Sequence, residues 1–306
     1  MSVERIEAAG SGELLEGPHW DPATESLYYV DIYSRNLFKY TPETNKCVSA
    51  HVDEGWPSVI IPVEGQSNRF LITVNNQLGV VDWDGSACKV SPQIIAEVEG
   101  NPAGHRINDA KCDPLGRLWF GSMGPEPQRL HIERNRGTLY NLMHDGSVKS
   151  HFDGISIPNG LAWNEDNTLF YYIDSYKYSI DQFEYDQETA TISNRKPIFS
   201  LRENNIEGIP DGMTIDTDGN LWVAIFDGSC VIKIDPRQPE TLLQKIQVPA
   251  KQVTSVAWGG PNLDELYVTS ANIVIDGVIN PGIHHGGLFR ITELDARGYP
   301  ATNAKV

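Results

Sequence analysis

Six polar residues, each standing shortly before an apolar stretch, are the positions in this sequence best suited to chemistry. They occupy corresponding places along the chain and are Glu16, Ser58, Asn108, Asn159, Asp211 and Ser255. Any one of them alone is explained by a turn, because Glu-Gly-Pro, Asn-Gly and Asp-Gly sequences are typical of turns. The set concentrates oxygen ligands and contains no lysine, so we predict that the six side chains form one ring.

Carboxylates and an amide carbonyl that converge on one point favour a bound cation, because like charges repel without one. Oxygen donors of this kind select Ca²⁺, Mg²⁺, Mn²⁺ or a permissive divalent site. His19 lies close to Glu16 in sequence, but we interpret it as a packing or supporting histidine, and we interpret His284-His285 as loop. The ring therefore predicts a divalent cation held by oxygen atoms.

The elements that must position this ring are short apolar runs that recur along the whole chain. The runs begin 43, 48, 51, 52 and 45 residues apart, at Leu27, Phe70, Leu118, Leu169, Leu221 and Leu266. A period of this length indicates a repeat architecture. Each run is followed by further strand-like residues, and four short strands per repeat are typical of a β-propeller blade. No segment keeps a helical periodicity for ten residues. We therefore predict an all-β, six-bladed propeller with a central channel, formed as one domain by residues 1–306.

The repeat is clearest between Ile209 and Phe226. Asp211 opens an apolar strand, Asp218-Gly219 supplies a tight turn, and Leu221 to Ile225 runs back as a second strand. An Asp-Gly pair between two apolar runs is a hairpin signal. The nearby segment from Asp216 to Asn220 does not have the glycine and glutamate spacing of an EF-hand, so we interpret it as a turn.

Composition limits the partners. The net charge is -17 and the isoelectric point is near 4.8, which disfavours nucleic acid and anionic membrane surfaces. The N-terminus has no apolar signal region and no window reaches the length of a membrane span, so we expect a cytoplasmic protein that acts on a small molecule. The four cysteines form no C-x-x-C pair and are predicted to be free thiols. The oligomeric state is not indicated.

Several longer motifs resemble one family. They are Glu16-Gly-Pro-His-Trp, the run from Arg106 to Arg117, Asn159-Gly-Leu-Ala-Trp, Phe170-Tyr-Tyr-Ile-Asp-Ser, Ile209-Pro-Asp-Gly-Met and the run from Leu263 to Ser270. Together they resemble the regucalcin (senescence marker protein)/gluconolactonase family over essentially the whole chain. Within that family the chain is similar to the insect members, which include firefly luciferin-regenerating enzyme.

The resemblance implies a six-bladed propeller that binds one divalent cation (Ca, Zn, Mn or Mg) in its channel and hydrolyses sugar lactones such as gluconolactone. It places the metal ligands on Glu16, Asn159 and Asp211, and the substrate-binding residues on Arg106, Asn108 and Glu126. The chain departs from the animal regucalcin pattern at Gly124-Pro125, where that pattern has an Ala-Glu pair. We expect the following loop, to about Arg136, to form part of a lid that sets substrate choice.

The roles and the substrate remain open at this point. Asp211 is the predicted catalytic base, with direct nucleophilic attack or a purely ligating role as alternatives. One alternative function is a luciferin-regenerating type of hydrolase that acts on an oxyluciferin-like heterocycle. Another is a non-enzymatic calcium-binding regulatory protein. Serine-hydrolase elbows, Walker A loops and dinucleotide motifs are absent from the sequence.

Overall fold

The protein is a six-bladed β-propeller, which confirms the predicted fold class. In the computed structural model, which describes residues 1–98, 103–275, 277 and 284–306, the strands form six sheets. Five sheets have four strands, and the first has a fifth, short strand. The innermost strands of successive blades pack against one another, and the last packs against the first, so the ring is closed around a channel.

The strands are short, as the repeat predicts. The first thirteen, in chain order, are β1 Ser2–Arg5, β2 Leu15–Asp21, β3 Ser26–Asp31, β4 Asn36–Thr41, β5 Lys46–Val52, β6 Ile60–Pro62, β7 Arg69–Val74, β8 Gln77–Asp82, β9 Lys89–Val90, β10 Gln93–Glu97, β11 Arg106–Cys112, β12 Leu118–Met123 and β13 Gly137–Leu142. The others are β14 Val148–Ile155, β15 Pro158–Trp163, β16 Leu169–Asp174, β17 Ser179–Asp186, β18 Thr191–Ser200, β19 Ile209–Ile215, β20 Leu221–Phe226, β21 Cys230–Ile234, β22 Leu242–Gln247, β23 Gln252–Gly259, β24 Glu265–Ala271 and β25 Leu288–Thr292.

Helical structure among the described residues is limited to single 3₁₀ turns at Glu7–Ala9, Pro42–Thr44 and Ser175–Lys177. Within the described part of the chain, none of these has the length and apolar character of a membrane span. The four cysteines are free thiols, as predicted.

The sixth blade is completed by the N-terminal strand, a feature that the repeat pattern does not reveal. Strand β1 pairs antiparallel with β25, with Ser2 opposite Thr292 and Arg5 opposite Phe289. The first and last parts of the chain are therefore joined in one sheet. Opening the ring would require these backbone hydrogen bonds to break, so this pairing holds the inner strands in a fixed circle.

The apolar runs are continuous because the second strand of a blade, like the inner strand beside the channel, is buried on both faces. All six residues of β20 and all eight residues of β23 are buried. Their side chains pack between neighbouring blades, so the hydrophobic core is divided into clusters, most of which span two adjacent blades. This packing fixes the spacing between the inner strands that carry the predicted ring.

Two blades also contain a fully buried aspartate within a turn. Asp216 accepts hydrogen bonds from the backbone amides of Asp218 (3.0 Å) and Asn220 (2.8 Å), and from Trp222 Nε1 (2.9 Å). The segment from Asp216 to Asn220 is thus a hydrogen-bonded turn, as predicted. Asp113 occupies the corresponding place two blades earlier, and we refer to these two residues as the turn carboxylates.

Candidate active site at one end of the channel

The predicted ring residues lie toward the start of the inner strands, at one end of the channel. The pairing register of five inner strands shifts there, between Glu16 and His19, Ile107 and Ala110, Asn159 and Leu161, Pro210 and Met213, and Val253 and Ser255. Bulges of this kind redirect side chains and are common beside active sites. In the second blade Ser58 directly precedes the inner strand, and its hydroxyl lies 2.7 Å from Thr73 Oγ1.

The glycine that follows each predicted metal ligand lies within a strand, so the interpretation of these pairs as simple turns is wrong. These glycines are Gly17, Gly160 and Gly212. A Cβ atom at Gly160 would lie 2.9 Å from the backbone oxygen of Asp211, and one at Gly212 would overlap Ser255 Oγ. The glycines are therefore required because the inner strand of the next blade approaches closely.

Asp211 is a buried carboxylate with an unused oxygen atom. Its residue is 6% exposed, and Oδ1 makes no hydrogen bond to any described residue. Burial raises the pKa of Asp211 well above its ordinary value, and the carboxylates of Glu16 and Asp109 raise it further, while the Gly212 amide opposes the shift. The charged form of this side chain therefore needs a positive partner.

Glu16 is the second buried carboxylate at this end. Its Oε2 accepts a hydrogen bond from the backbone amide of Gly17 at 3.1 Å. Burial and then the charge of Asp109 raise the pKa of Glu16 to about 8, although the Gly17 amide and Arg106 act in the opposite direction. The charge of Glu16 also raises the pKa of Asp211. Glu16 and Asp211 are therefore unfavourable neighbours when both are ionised without a cation between them.

Asn159 is held in one orientation by a chain of hydrogen bonds. Its Nδ2 donates to Ser175 Oγ at 2.8 Å, and that hydroxyl donates to the Pro210 carbonyl at 2.7 Å. The opposite side of the amide, Oδ1, accepts from Asn108 Nδ2 at 3.1 Å. Because both partners are fixed, Asn159 presents a carbonyl oxygen that has a second lone pair for a ligand.

The three predicted substrate-binding residues are brought together beside Asn159. Arg106 donates from one terminal nitrogen to Asn108 Oδ1 at 2.7 Å, and its other terminal nitrogen lies 3.4 Å from Glu126 Oε2. Arg106 Nε has no partner among the described residues. The Glu126 side chain is only 3% exposed, so it points inward even though Gly124-Pro125 precedes it.

Tyr33 belongs to this group and was missed by sequence reasoning. Its hydroxyl donates to Glu126 Oε1, which also accepts from the backbone amide of Leu130 at 2.7 Å. The guanidinium of Arg129 lies 4.0 Å from the centre of the Tyr33 ring. Tyr33 and Glu126 are 93 residues apart in loops of different blades, so no periodic pattern connects them.

The loop after Glu126 contacts blades on both sides. Arg129 pairs with Glu13 of the first repeat, and Arg134 lies 4.3 Å from the ring centre of Tyr176 in the fourth. The backbone amide of Asn135 donates to Ser156 Oγ at 3.1 Å. The segment that the sequence predicts as part of a lid is therefore attached to two separate blades.

Asp109 is a further buried carboxylate that sequence reasoning did not select. It accepts a hydrogen bond from the Ala110 amide at 2.8 Å, and burial raises its pKa to about 6 although Lys111 opposes the shift. Strand alternation would place Asp109 on the opposite face from Asn108. The bulge between Ile107 and Ala110 breaks that alternation, which is why the pattern concealed it.

The donor set at this end has the chemistry of a hard cation site. Glu16, Asp211 and Asn159 offer oxygen atoms alone, and the unpaired Asp211 Oδ1 is an acceptor that lacks a donor. Among the described residues, no three His, Cys, Asp or Glu side chains are grouped as a metal site would require. Only two of the three predicted ligands belong to those residue types, and the metal site itself remains a prediction.

Comparisons with known proteins agree with the fold and the resemblance. Residues 14–272 match the family described as "SMP-30/Gluconolactonase/LRE-like region". Regucalcin of Gallus gallus is 38% identical over 306 residues, with 98% of each chain covered. The structure of a luciferin-regenerating enzyme superposes with a TM-score of 0.95 at 42% identity, covering 100% of this chain and 99% of that one. A calcium-binding regucalcin of Agrobacterium tumefaciens superposes with a TM-score of 0.87 at 25% identity, covering 100% and 98%.

Proposed function

The chain belongs to the SMP-30/gluconolactonase/LRE-like family, and from that premise we propose that it is a divalent-metal-dependent hydrolase that opens sugar lactones such as gluconolactone. The observation that carries this proposal is the pair of buried carboxylates, Glu16 and Asp211, beside the fixed amide of Asn159. A buried acidic pair with an unpaired oxygen is costly to the fold unless it binds something.

We place the cation between Glu16, Asn159 and Asp211. Oxygen-only ligands suit Ca²⁺, Mg²⁺ or Mn²⁺, and the Agrobacterium relative is described as a calcium-binding protein. A bound cation of this type would polarise the lactone carbonyl as a Lewis acid. The three ligands come from the first, fourth and fifth blades, so binding would also connect distant parts of the ring.

Asp211 acts as the general base in this proposal. A water oxygen attacks the lactone carbonyl carbon while Asp211 accepts the water proton. The bond from the carbonyl carbon to the ring oxygen then breaks, the ring oxygen receives a proton, and the product is the open hydroxy acid. The open hydrogen-bonding capacity of Asp211 Oδ1 supports this role, because no described residue competes for that lone pair.

Arg106 and Glu126 hold the substrate's oxygen atoms. Arg106 has a buried Nε donor that no described residue accepts, and Glu126 is fixed by Tyr33 and Leu130 so that its remaining lone pairs face a defined direction. Asn108 already bonds Arg106, the Pro158 carbonyl and Asn159. Its first contribution is therefore to align Arg106 with Asn159, and contact with substrate requires exchange of one of these bonds.

A second candidate substrate is an aromatic heterocycle of the luciferin type. It is favoured by the similarity to the luciferin-regenerating enzyme and by the aromatic pair Tyr33 and Trp56, whose ring centres lie 5.9 Å apart next to Glu126. A flat ring would pack against these side chains, whereas a sugar would use the hydrogen bonds of Arg106 and Glu126. The two substrates therefore depend on different walls of the same site.

The test is gluconolactone hydrolysis followed by proton release. We expect turnover above the spontaneous rate, loss of turnover with a chelator, and recovery when Ca²⁺, Mg²⁺, Mn²⁺ or Zn²⁺ is added back. An oxyluciferin-type substrate assayed in parallel decides between the two candidates through kcat/KM. Tight metal binding without turnover of either substrate would overturn the enzymatic proposal and favour a calcium-binding regulatory protein.

A further inference from the structure

Lys111 extends from the third blade to the fifth within the channel. It lies near the end of β11, and its Nζ donates to the Met213 carbonyl of β19 at 2.6 Å. Strands β11 and β19 belong to blades on either side of the fourth, so the lysine side chain passes the inner strand of that blade. The proposed function uses other residues and gives this lysine no role.

The side chain of Lys111 lies between two cavities. The smaller, of about 20 Å³, is lined by Lys111, Asp109, Ser255 and Gly17, the residue that follows Glu16. The larger, of about 250 Å³, lies at the other end of the channel and also has Lys111 in its wall. The smaller cavity has room for about one water molecule. Bulk solvent therefore does not separate Lys111 from Asp109, and the charge of the lysine is only weakly screened.

Asp109 connects this lysine to the predicted metal ligands. Burial lowers the pKa of Lys111 and raises the pKa of Asp109, and the charge of each group opposes the shift of the other. After burial, the charge of Asp109 contributes to the raised pKa of Glu16 and of Asp211. Glu16, Asp109 and Asp211 thus form one acidic group, and Lys111 is the cation beside it.

The charges of this group match those of one divalent cation. When their carboxyl groups are ionised, Glu16, Asp109 and Asp211 carry three negative charges. The ammonium of Lys111 offsets one of them and leaves two. A divalent ion bound by Glu16 and Asp211 would therefore make the interior of the channel neutral, which is the favourable state for a buried site.

Other ionisable groups near the site leave this balance unchanged. Arg106 and Glu126 form an ion pair at 3.4 Å, so their charges offset each other. Burial lowers the pKa of His19 to about 4, and this histidine is therefore neutral at pH 7. The positive charge that balances the acidic group on this side of the channel is supplied by Lys111.

We propose that Lys111 sets the charge of the cation that the site binds, because its ammonium offsets one acidic charge and leaves a group that a divalent ion balances. This role rests on the cation site of the proposed function and not on lactone hydrolysis. A trivalent lanthanide such as Tb³⁺ has nearly the radius of Ca²⁺ and the same preference for oxygen ligands, so the two ions differ mainly in charge. The ratio of their affinities therefore reports the charge that the site supplies.

The test measures the affinities of Ca²⁺ and Tb³⁺ by titration calorimetry at pH 7. Lys111→Met keeps much of the length of the side chain and removes its charge. The extra positive charge of Tb³⁺ then no longer meets the ammonium, so the ratio of Tb³⁺ to Ca²⁺ affinity should rise at least roughly tenfold over wild type. Lys111→Arg keeps the charge and should have a ratio close to that of wild type.

Asp109 provides the compensating change. Asp109→Asn removes one acidic charge, so it should lower the ratio of Tb³⁺ to Ca²⁺ affinity at least roughly tenfold. The double variant of Lys111→Met and Asp109→Asn has the net charge of wild type, and its ratio should return close to the wild-type value. Lys233→Met is the matched control, because Lys233 pairs with the turn carboxylate Asp216 at 3.0 Å. It should lose stability and keep the wild-type ratio.

The double variant also keeps the proposal testable if Lys111→Met fails to fold, because its ratio is compared directly with that of Asp109→Asn. An unchanged ratio in Lys111→Met, or equal ratios in the double variant and Asp109→Asn, would overturn the proposal. A wild-type protein that binds neither ion would overturn it together with the proposed cation site. Calorimetry needs no substrate, so a protein that binds Ca²⁺ and hydrolyses no lactone would refute the hydrolase and leave the role of Lys111 intact.

Discussion

Two pairs of buried carboxylates in this molecule have opposite surroundings. The turn carboxylates Asp113 and Asp216 are completely buried, and each is surrounded by donors, including a backbone amide, a tryptophan N–H and a cationic side chain. Glu16 and Asp211, which we call the channel carboxylates, are nearly as buried, at 8% and 6% exposed. Each of them accepts a hydrogen bond from one backbone amide, and Asp211 Oδ1 accepts no hydrogen bond from the described residues.

The difference teaches that burial of a charge does not by itself identify a functional residue. A buried carboxylate is tolerated when hydrogen bonds and opposite charge replace its hydration. The turn carboxylates meet that condition within the fold and therefore serve stability. The channel carboxylates do not meet it, so their retention is explained by a ligand.

We expect the largest effect on activity from a substitution of a channel carboxylate, Asp211→Asn. Asp211→Asn keeps the shape and one carbonyl oxygen of the channel carboxylate but cannot accept a proton. If Asp211 is the base, kcat at saturating metal should fall about 10²- to 10⁴-fold, the usual contribution of general-base catalysis. The measurement is kcat across increasing metal concentration. A return to nearly the wild-type rate at high metal would show that Asp211 only holds the cation.

The matching change in a turn carboxylate should affect the fold and not the chemistry. Asp216→Asn removes the partner of Lys233, whose Nζ lies 3.0 Å away and whose side chain is largely buried. Removal of one member of a buried pair costs about 3–5 kcal/mol of the free energy of unfolding. Urea denaturation should show this loss, while kcat per folded molecule stays within about twofold. A variant with normal stability and reduced kcat would contradict the division between the two pairs.

The sequence predicts this division only in part. The repeat spacing located the six blades, and the polar position that recurs ahead of each apolar run located Glu16, Asn159 and Asp211 near the start of their inner strands, at one end of the channel. The repeat could not show which carboxylates lack donors, because that depends on contacts between loops of different blades. Tyr33 and Glu126 are one example of such a contact. Asp109 was hidden for a local reason, since the bulge in β11 cancels the alternation from which its direction would be inferred.

Metal removal should lower the stability that depends on the channel carboxylates and leave the contribution of the turn carboxylates unchanged. A cation at 100 times its Kd stabilises the folded state by about 2.7 kcal/mol, which corresponds to a rise in Tm of roughly 5 °C for a chain of this size. Chelation should therefore lower Tm by about that amount in wild-type protein. Asp216→Asn should melt at a lower temperature than wild type but lose the same number of degrees on chelation. Asp211→Asn should lose fewer degrees on chelation, because it binds the cation more weakly. An unchanged Tm and full activity after chelation would exclude the site.

The arginines extend the same comparison to positive charge. Arg117 donates to Asp113, the Tyr185 hydroxyl and the Gln187 carbonyl, whereas Arg106 has an unpaired Nε and a 3.4 Å contact to Glu126. Arg106→Lys should lower kcat/KM roughly tenfold or more, because hydrogen bonds to charged groups contribute about 1.5–3 kcal/mol.

Metal affinity of Arg106→Lys, measured by titration calorimetry, should stay within a few-fold of wild type. Arg117→Lys is the matched control in the turn region and should reduce stability while leaving kcat/KM intact. A large loss of metal affinity in Arg106→Lys would reassign that residue from the substrate to the cation.

The smallest expected effect concerns acid sensitivity around Asp113. His151 stacks on Trp119 with ring centres 4.3 Å apart, and its Nε2 donates to Asn141 Oδ1 at 2.8 Å. Burial, and then the charge of Lys149, lower the pKa of His151 to about 4. In the unfolded chain a histidine titrates near 6.5, so between pH 6.5 and 4 the unfolded state binds more protons and stability falls as the pH falls.

His151→Gln retains an N–H donor for Asn141 and removes the titrating group. Between pH 7 and pH 5 the wild-type protein should therefore lose about 1–2 kcal/mol more of its free energy of unfolding than His151→Gln loses. Urea denaturation of both proteins at each pH, with chelator present, gives this difference directly. The channel carboxylates and His19 titrate in both proteins, so their contributions cancel in the comparison. Parallel loss of stability in the two proteins would show that His151 is protonated freely in the folded state, and that burial against Trp119 does not exclude its charge.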